Sequence, residues 1–238
     1  MASFADLIDR LAQFYGPLPL PPADPFGFYV WEVLGTRTTA GRRDTAMAAL
    51  RRIPALTPDS MRKLGRGRLV AVVRQCGPLV DERLAALDAG MDVFRRQPRF
   101  LERLGGPVRQ AWLASRDLPH VGHAGALRLL LFTSISTIVP VDAGIARLVR
   151  RLGLAPDRPN VRRMVREARR ALDRALPRDQ PARRRAVLYL HHHAEHSCVE
   201  TSPHCGVCPL VEKCPEGQRA VRPASHISSA RPSGDAGL

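Results

Sequence analysis

Residues 117–149 read DLPHVGHAGALRLLLFTSISTIVPVDAGIARLV. The stretch begins with helix-forming residues and breaks at Leu118-Pro119-His120-Val121-Gly122. It resumes as an apolar helix over His123–Phe132. Two helices joined by a tight Pro/Gly turn leave unpaired backbone N–H groups at the start of the second, where the helix dipole also favours an anion. Gly122 supplies a close backbone approach or a positive φ there. Further on, Pro140-Val141-Asp142 precedes a helix beginning at Ala143, which places Asp142 as its N-cap. In that helix Ile145, Leu148, Val149 and Leu152 fall at i, i+3, i+4 and i+7, one apolar face.

Outward from this stretch the pattern stays helical. Val161, Met164, Val165, Ala168 and Leu172 line one face of a segment ending at Leu176, and arginines fill the other, which reads as a solvated face. Thr57-Pro58-Asp59 is a helix start, with Thr57 as cap and proline at the first helical position. No run alternates as a half-buried strand would. Residues 15–27, YGPLPLPPADPFG, read as a crossing segment between an N-terminal helix and the body. From about residue 218 the composition turns to Arg, Pro, Ser, Ala and Gly, the signature of a disordered tail. The fold class is all-α.

The chain has 238 residues, 45% of them hydrophobic, enough for one large domain or two modest ones. Leu127–Val141 is the longest apolar stretch, and Arg128 with four hydroxyl residues interrupts it, so no membrane span is expected. The N-terminus has no secretory pattern, which points to an intracellular protein. Thirty-seven basic residues stand against 22 acidic ones, a net charge of +15, and only Lys63 and Lys213 of the basic set are lysine. Such a balance is the electrostatic footprint of a nucleic-acid binder.

Four of the five cysteines, Cys198, Cys205, Cys208 and Cys214, lie within seventeen residues, spaced C-x6-C-x2-C-x5-C. Without an export signal they read as a metal site rather than disulfides, holding either structural Zn²⁺ or an iron–sulfur cluster. Cys76 stands in an apolar stretch and reads as a small buried residue.

LPHVGHAGA, an aspartate twenty residues after Gly122, and the four-cysteine spacing together resemble the endonuclease III family of helix–hairpin–helix DNA glycosylases. The resemblance covers about residues 5–217. It implies two all-helical domains with a DNA cleft between them: a six-helix domain over 28–142 carrying the hairpin, and a cluster domain combining 1–27 with 143–217. Residues 218–238 fall outside it. It further implies a [4Fe–4S] cluster on Cys198, Cys205, Cys208 and Cys214, a catalytic role for Asp142, and DNA contacts from His120, Val121, Gly122, His123 and Ala124. Double-stranded DNA with a damaged or mismatched base is the implied partner, and a monomer in the cytoplasm, with the nucleoid, the implied setting.

The family flips a base out of the duplex and cuts its bond to deoxyribose. Its bifunctional members attack with a hairpin lysine, and here that position is Ala124, whose methyl group is no nucleophile. The expectation is therefore hydrolysis with weak or no lyase activity. The alternative is a non-catalytic DNA-binding paralogue. It is favoured by the missing lysine, by His120 in place of the hairpin's first glycine, and by VETSPH between Cys198 and Cys205, which is poor in cations. Arg37 stands where the family has a gap-filling glutamine, and Arg37-Thr38-Thr39-Ala40-Gly41 is similar to the thymine–guanine mismatch branch. His193 matches a structural histidine of the family, whereas His191, His192 and His196 read as surface or packing residues.

Overall fold

The computed structural model describes residues 4–222 except 54, 98 and 135. Among these residues it contains thirteen α-helices, two short 3₁₀ turns and no strand. Among the described residues no helix is long and apolar enough to cross a membrane. The remainder of the expected tail, 223–238, lies outside the described residues.

Local chemistry sets many of the helix starts. Asp24 caps α2 (Pro25–Leu34), its carboxylate accepting from Gly27 N at 2.6 Å with Pro25 in the first turn. The Pro-rich crossing segment therefore ends at Asp24, and its last residues are already helical. Thr57 caps α4 (Pro58–Leu64), with Ser60 reciprocating in a capping box. Asp142 caps α10 (Ala143–Arg151), Asn160 caps α11 (Val161–Ala175), and Asp179 caps α12 (Gln180–His196). A last helix, α13 (Pro215–Val221), starts from the sulfur of Cys214 and carries regular structure into the compositionally biased tail.

The buried apolar side chains form one continuous cluster from Phe4 to Cys214. On one side α2 packs against α3 (Ala40–Leu50), α6 (Val80–Arg96) and α9 (Gly122–Thr133). On the other, α10 packs against α11 and α12, and α12 also holds α1 (Phe4–Tyr15). The helix before the hairpin is α8 (Val108–Ser115), packed on α9.

Arginine does more than cover the surface. Arg83, Arg151 and Arg183 are buried, and each donates to several backbone carbonyls. A guanidinium with five donors can satisfy loop carbonyls that no helix supplies with partners.

Tyr29 links the core to the hairpin. Its ring is fully buried, and its hydroxyl donates to Ala86 O at 2.5 Å with Pro119 O 3.3 Å away. A Cβ added at Gly90 would lie 2.0 Å from Tyr29 Cε1. Gly90→Ala is therefore expected to destabilise the fold by about 1–3 kcal/mol through overpacking, although alanine is the better helix former by about 1 kcal/mol. Chemical denaturation decides it: a midpoint at or above that of the wild type would show that the ring has room to shift.

Candidate active site and cysteine loop

The hairpin forms as the sequence suggests. His120 and Gly122 both adopt positive φ, +63° and +57°. Histidine thus occupies a left-handed position that glycine takes without cost. A Cβ at Gly122 would meet nothing within 4 Å, so the backbone there is open to a close approach. No side chain caps the start of α9, which leaves its first N–H groups available. Val121 is buried while His120, Gly122 and His123 are exposed. His123 packs edge-on against Trp112 at 4.8 Å beside a cavity of about 400 Å³ that also takes in Arg116 and Gly122. Burial, then Arg169 and Arg116, lowers the His123 pKa, so this ring favours its neutral form.

Asp142 lies at the centre of a chain of charges that crosses four helices. Its Oδ1 accepts from Ile145 N at 2.8 Å, which is the cap itself. Its Oδ2 accepts from Arg128 Nη1 at 2.9 Å. His191 Nδ1 stands 3.1 Å from the same oxygen, a charge contact without the alignment of a hydrogen bond. Arg128 turns its other edge to Glu32, with Nε on Oε2 at 3.2 Å and Nη2 on Oε1 at 2.5 Å. His191 Nε2 meets Glu195 Oε1 at 3.1 Å. The order Glu32–Arg128–Asp142–His191–Glu195 alternates in sign along its whole length when His191 is protonated.

These neighbours set the ionisation states. Burial works against the Asp142 carboxylate, but His191, Arg128 and the Ile145 amide outweigh it and hold its pKa well below the usual carboxylate range. Burial likewise works against the His191 cation. The contacts to Asp142 and Glu195 prevail and raise its pKa to about 9. Next along α12, His192 moves the other way, down to about 4, through burial and its stacked neighbour His196.

Two cavities flank the charged chain and share His191 and Glu195 as a wall. One, about 240 Å³, is lined by Trp31, Glu32, Thr36, Arg37, Arg128 and their neighbours. The other, about 360 Å³, is lined by Asp142, Arg147, Glu200 and their neighbours. Arg37, at φ +48° and exposed, therefore borders the same region as Arg128 and His191. Arg43 lies over the Trp31 ring at 4.0 Å.

Four members of this constellation, Glu32, Arg128, His191 and Glu195, are not among the site residues read from the sequence. A signal was available for two. Glu32 is the only charge in PFGFYVWEVL and Arg128 the only one in GHAGALRLLLFT. A lone charge on an otherwise apolar helix must find a partner or water, and opposite lone charges on two such helices can serve each other. His191 gave no such signal, because the run His191-His192-His193 has no preferred face.

The four cysteines gather beyond α12. Cys198 and Cys214 are buried, and Cys205 and Cys208 are partly so. Donors reach three of the sulfurs: Arg151 Nη1 to Cys198 at 3.4 Å, Leu210 N to Cys208 at 3.4 Å, and Gly217 N to Cys214 at 3.2 Å. Neutral thiols need few such donors, whereas thiolate sulfurs in a metal group accept them. Burial, with the other three cysteines, pushes Cys208 up to about 11, so this thiol stays protonated without a cation to share its charge. Among the described residues no three His, Cys, Asp or Glu side chains are arranged to hold a single metal ion. His193 is buried beneath the loop, with Nδ1 2.7 Å from Tyr15 Oη and Nε2 3.6 Å from Cys208 Sγ.

No family model matches the chain. It is 29% identical over 195 residues to endonuclease III of Treponema pallidum (strain Nichols), which covers 79% of this chain and 82% of that protein. Its fold matches a trapped endonuclease III–DNA covalent intermediate with a TM-score of 0.64 at 20% identity, over 93% of this chain and all of the other. A non-covalent endonuclease III–DNA complex gives 0.64 at 19% identity, over 92% and 99%. A thermostable thymine-DNA glycosylase gives 0.63 at 18%, over 91% and 97%. In sequence the chain is similar to endonuclease III, and its fold is the one shared by the endonuclease III and thymine-DNA glycosylase structures.

Proposed function

We propose that the chain is a DNA N-glycosylase of base-excision repair that acts by hydrolysis on a damaged or mismatched base in duplex DNA, as a monomer. The observation that carries this reading is the Asp142 carboxylate. It is fixed at the start of α10, held ionised, and opens onto a cavity, while Ala124 leaves α9 without an amine. The uncapped start of α9 and the open backbone at Gly122 would take a phosphate. Arg37 would fill the gap left by the extruded nucleotide.

As the bond between C1′ and the base breaks, positive charge builds on the sugar. A fixed carboxylate stabilises that charge and can orient or deprotonate the attacking water. The products are a free base and an abasic sugar, the water's oxygen ending on C1′ and its proton leaving with the base or to solvent. A [4Fe–4S] cluster on Cys198, Cys205, Cys208 and Cys214 would serve by cross-linking the loop that follows α12. The N–H donors already aimed at three of the sulfurs support that assignment.

One observation favours a second reading, a DNA-binding paralogue without excision. Asp142 Oδ2 is already engaged by Arg128 and faced by His191, so the carboxylate has little free capacity. The test is a panel of duplexes carrying thymine glycol, dihydrouracil, uracil, T·G, A·8-oxoguanine or an abasic site, developed with and without hot alkali. Breaks that need alkali are expected on one of the base substrates, with no borohydride-trapped complex on abasic DNA. Breaks without alkali, or a strong trapped band, would overturn the hydrolytic mechanism and implicate Lys63, Lys213 or the N-terminal amine. Binding without any product would favour the paralogue.

A further inference from the structure

We infer that Arg128 and His191 are positioning residues, a two-cation clamp that fixes Asp142 as an oriented anion between the two cavities. The inference rests on the reading of Asp142 as the acting carboxylate. Neither clamp residue belongs to the hairpin, to the cap of α10 or to the cysteine set.

The geometry shows why the clamp is stiff. Arg128 grips Glu32 with two parallel nitrogens, so its planar guanidinium cannot rotate, and the remaining Nη1 is aimed at Asp142 Oδ2. His191 reaches the same oxygen from α12, and Glu195 one turn later fixes the far edge of its ring. The side chains of Arg128 and Glu32 are only 13% and 12% exposed, so water screens their pairing weakly. Asp142 Oδ1 is taken by the Ile145 amide. Both oxygens are thus oriented by groups on three different elements, and the carboxylate plane is set before DNA arrives.

The clamp has one member that titrates on the alkaline side of neutral, His191, at about pH 9. His191 faces Asp142 from the start of α10, Glu195 and His192 from its own helix, and Arg128 from α9. Arg147 lies across the Asp142 cavity, Arg43 stands beside Glu195, and Glu32 backs Arg128. The two carboxylates in direct contact keep the His191 proton in place through neutral pH. When it leaves, Asp142 loses one of its two cations and the imidazole no longer needs to face it.

The test uses the full chain and two readouts. In ¹⁵N-imidazole NMR, His191 is expected to keep its proton to about pH 9 and to titrate distinctly lower in Asp142→Asn. Ordinary titration near 6.5 in the wild type would overturn the clamp. In single-turnover excision, His191→Asn is expected to lose about 10²-fold in rate with unchanged duplex affinity, and to lose the alkaline fall of the wild-type profile. Arg128→Lys, which keeps the charge and the fold but not the fork, should lose a similar factor. Wild-type rates and profile in His191→Asn, or faster excision in Arg128→Lys, would overturn the clamp. Should the wild type excise no base, the functional reading falls and the NMR titration alone decides the clamp.

Discussion

Asp142→Asn is expected to bring base excision to background while duplex binding persists. Asparagine is nearly isosteric with aspartate and is as good an N-cap, so α10 keeps its start and the Ile145 amide its acceptor. What disappears is the negative charge opposite the developing sugar cation. Removing a group that acts in the transition state costs about 10²–10⁴-fold. Excision at the wild-type rate would remove Asp142 from the mechanism.

The same substitution has a signature in stability. The Asp142 pKa is depressed in the fold, so its contribution is present above 3.8 and fades as pH falls below that. The His191 pKa is raised to about 9, so its contribution is complete below 6.5 and is lost as pH rises through 9. The variant's deficit is therefore largest between about pH 4 and 6.5 and narrows as pH rises from there through 9. Thermal melts across that range would show it, and a deficit flat through pH 9 would mean that His191 and Asp142 are not coupled.

How much of this was visible in the residues follows from the range of each interaction. The caps at Thr57 and Asp142 were legible because a cap closes over three residues of one segment. The hairpin was legible because Pro119 and Gly122 dictate a turn locally. The site around Asp142 was not, since His191 lies 49 positions away and meets it only because α12 packs on α10. Equally hidden was the burial of Arg83, Arg151 and Arg183 in a chain whose excess arginine suggested surface alone. Which arginines turn inward depends on which loop carbonyls the packed helices leave without partners, and no periodicity encodes that.

Arg151 gives the largest expected loss of stability in the cysteine region. Its guanidinium is 9% exposed and reaches outward from the last residue of α10. Nη1 donates to Val199 O at 2.6 Å and lies 3.3 Å from Cys198 O, Nη2 donates to Glu200 O at 3.0 Å, and Nε stands 2.8 Å from Glu216 Oε1. One side chain thus ties α10, the chain leaving α12, and the start of α13. Arg151→Ala would strand the Val199 and Glu200 carbonyls and remove one of the two arginine partners of Glu216, the other being Arg150. Breaking a fully buried pair costs about 3–5 kcal/mol, and because Glu216 is 30% exposed the expected loss is lower, about 2–4 kcal/mol. Lysine should not rescue it, because a single ammonium cannot span three carbonyls and a carboxylate at once. Arg10→Ala is the control. It breaks the pair to Glu212, whose members are 41% and 73% exposed, and should cost under about 1 kcal/mol. Denaturant midpoints of the three variants decide the matter. If Arg151→Ala matched Arg10→Ala, the loop would owe its shape to the cysteines and whatever they hold, and not to the arginine beneath them.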